Sequence, residues 1–327
     1  MRWCYPRAGR APQTVQQPRV GAGQPTLGPV TLLFEIGPSG RPGSIRFQEP
    51  TSAFVNADVG PALAASQFPA VAHTGCAITY TPRVEPFSSA PLEDLISYSI
   101  TPLSGPLPPE GWARIKAGGD CFNPPRPQTL ARMFPDFRKI PATPGVKDWV
   151  MIGYDTNASG EPINVHQVSS TGNEVLEAQA AKAARQSRFA RGARSGCRYP
   201  YWRSPASVPA PPLPAENAFR SAEASCAEEK RWATPLNLRF PAAYRRRKIE
   251  GWAIVAYDTA PWGGVGNIKV LRAEPSVDFG LQAVQIVQTA KVLPSPQGST
   301  GCVTRIKFML AADDASTSKD DTYLDAD

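Results

Sequence analysis

Three segments of the chain are rich in β-branched, aliphatic and aromatic residues, which is typical of buried β-strands. They span residues 30–36, 149–154 and 252–257. Each is followed by a turn that contains glycine and then by a second predicted strand, at residues 44–47, 163–168 and 267–271. Because two strands joined by a short glycine-bearing turn pair with each other, the pattern predicts three β-hairpins.

A helical pattern follows each hairpin. After the second hairpin, the spacing predicts a helix from about Asn173, a suitable N-cap, to Arg188. After the first, Gly60 and Pro61 interrupt the pattern, so we expect a short helix that begins at Pro61. The apolar faces of the second and third helices are Leu176, Ala180, Ala183 and Ala184, and Phe279, Ala283, Ile286 and Val287. The helices are predicted to end near Phe68, Phe189 and Leu293.

The six cysteines repeat at a nearly constant spacing. Three pairs, Cys4 with Cys76, Cys121 with Cys197 and Cys226 with Cys302, are 72, 76 and 76 residues apart. The second cysteine of each pair follows a glycine and opens a third predicted strand, clearest at residues 77–80 and 303–308. In the second copy Pro200 shortens this strand or confines it to a sheet edge. We interpret the chain as three tandem copies of one unit.

The spacing of the cysteines also limits the chemical roles that they can have. No two cysteines have the close spacing that metal and redox sites use, so we predict one disulfide in each copy, with buried free thiols as the alternative. A loop of this length stabilises the fold by about 4 kcal/mol in the chain-entropy model. Disulfides indicate an oxidising compartment. The N-terminus shows no export signal and no stretch is long and apolar enough to cross a membrane, so we expect an exported protein whose export signal lies upstream.

Each copy is predicted to be a small α+β unit of β-β-α-β order, with a three-stranded antiparallel sheet and a helix packed on one face. The 36 prolines and 26 glycines favour small folded units joined by extended linkers. The predicted order is unit 1 (1–85, diverged), a Pro-rich linker (86–117), unit 2 (118–203), a second Pro-rich linker (204–220), unit 3 (221–311) and an acidic disordered tail (312–327).

The net charge of +7 is unevenly distributed. Residues 311–327 carry −5, so the remainder carries +12. A basic body of this kind suits nucleic acid, anionic lipid or anionic glycan. The arginines are scattered, however, apart from the run at residues 245–248, and we expect a solvated basic surface and no nucleic-acid partner.

The third copy contains an ordered series of short motifs at 239–242, 248–252, Tyr257-Asp258, 266–271, 272–275 and Phe279. With this series it resembles the C-terminal domain of TonB, the periplasmic energy transducer of Gram-negative bacteria, and the resemblance implies a periplasmic protein. The second copy repeats part of this series at 133–135, Asp155, Gly160, 164–165, 169–172 and 188–189. The first copy keeps only its first strand, Gly40, 66–68 and 75–76.

The resemblance implies a non-enzymatic domain without cofactor or metal, which binds an envelope partner by adding a strand to its sheet. In this chain the corresponding strand is Val303, Thr304, Arg305, Ile306, Lys307 and Phe308. A TonB-dependent outer-membrane transporter in energy-coupled uptake is the implied partner. The chain lacks the family's transmembrane helix and has three copies with paired cysteines, so the domain type is better supported than energy transduction. A structural or anionic-glycan-binding protein of the cell envelope with the same fold is the alternative.

Enzymatic alternatives are weaker. Asp155 and Asp258, each followed by threonine, suggest the paired loops of an aspartic protease, but the glycine that should follow is absent. We also place Ile36 and Gly37 at the corresponding position of the first copy. His73 and His166 have no partner at the spacing of a metal site or a catalytic triad. Trp149 and Trp252 could stack on a glycan or a base, but matching positions in two copies favour a place in the core.

Overall fold

The computed structural model describes residues 2–3, 28–49, 57–103, 105–226 and 232–311, and the fold is α+β with small antiparallel sheets and few helices. The strands are β1 (Arg2–Trp3), β2 (Val30–Ile36), β3 (Pro42–Phe47), β4 (His73–Tyr80), β5 (Thr129–Ala131), β6 (Asp148–Thr156), β7 (Pro162–Ser170), β8 (Arg188–Phe189), β9 (Arg194–Arg203), β10 (Gly251–Thr259), β11 (Val265–Glu274) and β12 (Ser299–Phe308). The helices are α1 (Val59–Ala64), α2 (Leu92–Ile100), α3 (Pro109–Lys116), α4 (Glu174–Gln186), α5 (Ala242–Arg246) and α6 (Val277–Gln288).

The three main sheets have the same strand order. Each central strand, β2, β6 or β10, pairs with its hairpin partner on one side and with the strand that follows the helix on the other. The second cysteine of each copy lies opposite an aromatic residue of the central strand, in the pairs Phe34–Cys76, Tyr154–Cys197 and Tyr257–Cys302. This shared register allows positions in the three sheets to be compared residue by residue.

The hairpin turn of each sheet is fixed by a glycine that no other residue could replace. Gly40, Gly160 and Gly263 have φ angles of 79°, 81° and 86°, and an added Cβ would meet a backbone oxygen at 2.1–2.3 Å. That oxygen belongs to Phe68, Phe189 or Val292, the residue that follows the helix. Leu293 was predicted at this position in the third copy, but it is 52% exposed whereas Val292 is 3% exposed. The residue that meets the turn glycine in the third copy is therefore Val292, one residue before the predicted Leu293, and α6 itself already ends at Gln288.

The helix boundaries follow local chemistry. The Asn173 side chain accepts a hydrogen bond from the backbone N–H of Leu176 at 3.1 Å, so α4 begins where predicted. It ends before Arg188 because β8 then pairs with β5. Helix α1 begins at Val59, two residues before Pro61, because proline is tolerated in the first turn of a helix.

The two predicted linkers are not extended spacers. Residues 86–117 contain α2 and α3, whose apolar residues Leu95, Ile96 and Ile115 pack with Trp149 and Met151 of β6. The cause is that β6 is buried along nearly its whole length, so its sheet needs cover on both faces. The prolines suit this role, since Pro109 opens α3 at the helix start, where no N–H is needed.

The second linker covers the third sheet in the same way. Ala210, Leu213 and Phe219 pack on Trp252, Ile254 and Val303, on the face opposite α6. The Trp252 indole N–H also donates a hydrogen bond to the Pro211 carbonyl at 2.8 Å. Trp149 and Trp252 are thus core residues, 6% and 2% exposed. We call the face of the third sheet that carries Trp252 and Ile254 the outer face.

The chain divides into two compact lobes rather than three units in a row. The first lobe joins Met1–Thr14, Thr26–Thr81 and Ser207–Ser316, so it combines the first and third copies, and the second lobe is built mainly from Pro82–Ala206. Within the first lobe the two copies share one apolar core. Arg247 also donates hydrogen bonds of 2.8 and 2.5 Å to the Asp58 carboxylate. Sequence analysis missed this association because its contacts are far apart in the chain.

Two of the predicted cysteine pairs are present as disulfides. Cys121–Cys197 and Cys226–Cys302 have Cα–Cα distances of 5.0 and 5.1 Å. Cys76 is also disulfide-bonded, while Cys4 and the predicted acidic tail, residues 312–327, lie outside the described residues. Within the described part of the chain, no helix is long and apolar enough to span a bilayer.

Candidate functional site

Strand β12, which contains the predicted partner-binding residues, lies at the edge of its sheet. It pairs with β10 from Gly251–Phe308 to Thr259–Ser299, and the strand order is β11-β10-β12. Among the described residues no further strand pairs with its other side. An edge strand of this kind presents a row of unpaired N–H and C=O groups to a further strand.

The other two sheets indicate which backbone groups of this edge point outward. In an antiparallel pair, two directly opposite residues point their backbone groups either toward each other or away from each other. The Thr31 carbonyl accepts a hydrogen bond from Gln48, on the β3 side, and the Trp149 carbonyl accepts one from Thr171, on the β7 side, both at 2.9 Å. Their opposite residues, Thr79 and Trp202, therefore point away from the central strand.

The shared register transfers this result to β12. Thr79 lies three residues after Cys76, and Arg305 lies three residues after Cys302. Trp202 lies five residues after Cys197, and Lys307 lies five residues after Cys302. Thr79 and Trp202 therefore correspond to Arg305 and Lys307. By alternation, the outward backbone groups of β12 belong to Val303, Arg305 and Lys307. These three residues have their side chains on the outer face, where Val303 is buried and Arg305 and Lys307 are exposed.

The remaining predicted residues of this strand face the core. Ile306 and Phe308 are each 2% exposed and pack in the core beneath α6, and Thr304, which precedes them on the same side of the strand, is half-buried. Their side chains hold β12 in place and are not presented to a partner. The predicted segment of six residues thus divides into an inward set, which packs in the core, and an outward set, whose backbone groups point away from β10.

The corresponding edges of the other two copies differ from this one. In the first copy β1 pairs in parallel with β4, with Arg2 opposite Cys76 and Trp3 opposite Ala77. In the second copy Pro200 occupies the outward position equivalent to Arg305, so that edge lacks one N–H. Pro200 was predicted to confine its strand to an edge, and β9 is indeed an edge strand, though ten residues long.

The outer face beside the β12 edge is basic. Arg305 lies opposite Ile254, which lies opposite Arg272, and Lys269 lies opposite Ala256. All four cationic side chains of this row, Lys269, Arg272, Arg305 and Lys307, are exposed. Glu274 of β11, opposite Trp252, is 5% exposed and accepts hydrogen bonds from Ser44 and Arg272.

A carboxylate anchors the start of the same strand. Asp258 accepts hydrogen bonds from the Gly301 backbone N–H at 2.9 Å and from the Asn267 side chain at 2.7 Å. These bonds, the Asn267 bond first, lower the pKa of Asp258 below its usual value. Asp155 has equivalent partners, Asn164 and Gly196, and its pKa is lowered for the same reason.

This arrangement accounts for the two acid–threonine pairs noted in the sequence. Each carboxylate accepts hydrogen bonds from an asparagine and a glycine of its own sheet, so each aspartate has a structural role within that sheet. In the first copy Phe34 lies opposite Cys76, so the residue equivalent to Asp155 and Asp258 is Glu35. The placement of Ile36 and Gly37 at this position, predicted from the sequence, is wrong. In each hairpin a β-bulge next to this residue shifts the pairing between the two strands, and the spacing of residues in the sequence does not show the shift.

The Asp258 anchor should make the first lobe sensitive to acid. Because the pKa is lower in the folded than in the unfolded protein, the carboxylate adds stability above its unfolded pKa and loses it as the pH falls through the folded pKa. We expect the native chain to lose more unfolding free energy between about pH 6 and pH 3 than Asp258→Asn does. Urea denaturation at each pH measures this difference, and equal losses in the two proteins would contradict it.

The histidines do not form a site in the structure. His166 is exposed and its Nδ1 lies 2.8 Å from the Asn164 carbonyl oxygen. His73 opens β4 and is also exposed. Over the described residues, no group of three or more His, Cys, Asp or Glu side chains could hold a metal ion.

Comparison with known families places this edge in a recognised domain. Residues 237–310 match the family model described as the Gram-negative bacterial TonB protein C-terminal. These residues are similar to a TonB C-terminal domain. The matched segment runs from just before α5 to just beyond β12, so it includes the whole third sheet and its edge strand. No curated protein matches the chain.

The TonB C-terminal domain is a non-enzymatic interaction domain of the periplasm in Gram-negative bacteria. In this chain the matched segment occupies less than a third of the sequence and shares its apolar core with residues of Thr26–Thr81, which lie outside the match. The matched segment therefore does not have a core of its own in this structure.

Proposed function

We propose that the chain is a non-enzymatic, TonB-like periplasmic protein that binds an extended segment of an envelope partner along β12. The partner that the family match favours is a TonB-dependent outer-membrane transporter, and energy-coupled uptake is the process. The observation that carries the proposal is the intact outward edge at Val303, Arg305 and Lys307, inside the matched segment. Strand addition uses backbone hydrogen bonds for affinity and neighbouring side chains for specificity.

The comparison of the three copies supports β12 as the binding strand. Residues 2–3 already pair with β4, and Pro200 removes one donor from β9. The first and second copies then serve structural roles. The first copy completes the core beneath the third sheet, and we propose that it and the second copy are diverged TonB-like units, as their shared strand order and register support.

Replacing Arg305 with Pro should abolish partner binding. This change removes one outward N–H but no hydrogen bond to β10, and the native Pro200 shows that the fold tolerates proline at the equivalent position. A photo-crosslinker at Lys307, in a Gram-negative cell, should form adducts with an outer-membrane transporter. Adducts should disappear in Arg305→Pro and persist in Arg305→Ala.

A crosslinker at Lys269 is the matched control, because Lys269 is exposed on the same face but on β11, the opposite edge. Equal adducts from both positions, or adducts that survive Arg305→Pro, would sink the proposal. The four exposed cations also favour the alternative, an anionic glycan of the envelope. Strand addition should withstand about 0.5 M salt, whereas glycan binding by surface charge should be lost there.

A further inference from the structure

The second lobe carries a surface that the proposed function does not use. We infer that this surface binds a lipid bilayer that contains anionic phospholipid. One part of it, the basic segment, consists of four exposed cations: Lys182, Arg185, Arg188 and Arg191. The other part, the apolar segment, consists of three exposed apolar side chains: Leu130, Met133 and Phe134. The inference goes beyond strand addition to β12 and does not depend on it.

The basic segment lies in a part of the chain without acidic residues. Residues 178–215 contain seven lysines and arginines and no aspartate or glutamate. Lys182 and Arg185 lie in the last two turns of α4. The Arg188 side chain donates hydrogen bonds to the carbonyls of Arg185 and Ser187, at 3.1 and 2.8 Å. Within the described part of the chain, none of the four cations forms an ion pair.

The acidic groups that border this surface leave most of its charge in place. Asp136, two residues after the apolar segment, forms ion pairs with Arg138 and Lys139 at 3.1 and 3.6 Å. Glu161, in the hairpin turn next to β8, accepts a hydrogen bond from the Asn157 side chain at 3.0 Å. The cations at this surface thus outnumber the acids.

The acidic residues of α4 are separated from its cations along the helix. Glu174 and Glu177 lie in the first turn. A rise of 1.5 Å per residue places Glu177 about 12 Å along the axis from Arg185, whereas exposed charges are screened over about 8 Å at physiological salt. The C-terminal end of α4 therefore presents a positive potential to solvent.

The apolar segment lies beside the basic segment because β5 pairs with β8. Ala131 lies opposite Arg188, and the Met133 N–H donates a hydrogen bond to the Ser187 hydroxyl at 3.1 Å. Paired strands are about 5 Å apart, so Leu130 and its neighbours border the cations directly. Charge and exposed apolar area thus occur together on one surface.

The exposure of Phe134 is particular to the second copy. Phe134 and Phe240 each precede a proline in the motif that the two copies share. Phe240 is half-buried, and its ring centroid lies 6.1 Å from that of Phe279, three residues after the N-cap of α6. The residue three positions after the N-cap of α4 is the smaller Leu176, and Phe134 is 54% exposed. The shared fold therefore does not require an exposed ring here.

This combination favours a bilayer over a soluble polyanion. Each cation near an anionic leaflet strengthens binding by about fivefold. Exposed apolar side chains add affinity where they can enter the boundary between headgroups and acyl chains. A soluble anionic polymer would contact Lys182 and Arg185 but would leave Phe134 in water.

The test is flotation of the full chain with vesicles of phosphatidylcholine, alone or mixed with phosphatidylglycerol, at about 0.15 M salt. We expect the chain to float with the mixed vesicles and to bind phosphatidylcholine at least tenfold more weakly, by about the effect of two cations. Lys182→Gln/Arg185→Gln should weaken binding to the mixed vesicles about tenfold. Leu130→Ser/Phe134→Ser should weaken it by a similar factor, about tenfold, without changing retention on a heparin column.

Two double variants of the first lobe are the matched controls. Lys269→Gln/Lys291→Gln removes the same charge, and Leu238→Ser/Leu293→Ser removes apolar side chains that are 57% and 52% exposed. Both controls should bind the mixed vesicles as the native chain does. Far-ultraviolet circular dichroism confirms that each variant is folded.

Three results would overturn the inference. Equal losses in a test variant and its control would show that binding follows total charge or total apolar area. Native vesicle binding by Leu130→Ser/Phe134→Ser, together with weaker heparin retention of Lys182→Gln/Arg185→Gln, would indicate a surface for soluble polyanions. A native chain that does not float with the mixed vesicles would exclude the bilayer, and strand addition to β12 would be unaffected.

Discussion

Replacing Arg247 with Met is expected to lower the free energy of unfolding of the first lobe by about 3–5 kcal/mol. The Arg247 guanidinium donates two hydrogen bonds to Asp58, and both side chains are nearly buried, at 13% and 7% exposure. Removing it leaves a buried carboxylate without its main counter-charge. Urea denaturation followed by tryptophan fluorescence measures the loss, because Trp252 lies in this lobe.

The double variant Asp58→Leu/Arg247→Met provides the control. Replacing both charges with apolar side chains removes the uncompensated carboxylate, so much of the lost stability should return. This result would show that the first and third copies are energetically coupled through the pair. A single variant that loses less than about 1 kcal/mol, the value typical of an exposed pair, would show that the pair does not link the copies.

Removing the Cys226–Cys302 disulfide with two serines should lower the stability of the first lobe by about 4 kcal/mol, because the bond closes a long loop of the unfolded chain. The loss should be larger than that of Ser225→Ala, the matched control, which removes only a side chain that bonds Thr300 at the same place. Denaturation with and without reductant measures both effects. If reductant lowers the stability of the double-serine variant as much as that of the native chain, the loss arises from another disulfide.

Local features of the fold could be predicted from sequence. The hairpins, the N-cap at Asn173 and the turn glycines depend on residues close together in the chain. The segments that pack over Trp149 and Trp252 could not be predicted, because their proline-rich composition suggested linkers. The burial of β6 and β10 on both faces contained a usable signal, since their nearly continuous apolar runs require cover on each side.

Only part of the candidate site could be predicted from the sequence. The strand that we propose to bind a partner was chosen from the family resemblance, but its division into inward and outward residues required the register with β10. The exposed pair Arg305 and Lys307 alternates with buried Ile306 and Phe308, and this alternation could have suggested the division. The coincidence of Pro200 with Arg305 needed the structure, because only pairing with the central strand aligns the two edges.

The separation of the first lobe into distant segments has a consequence for biogenesis. Its N-terminal part is synthesised before the C-terminal segment that completes its core, and all of Pro82–Ala206 must follow first. Core residues such as Phe34 and Phe68 then remain without their later neighbours while the second lobe can already fold. Non-local contacts of this kind slow folding and prolong the exposure of apolar surface. Production of the chain in the cell should therefore depend on chaperones more strongly than production of residues 82–206.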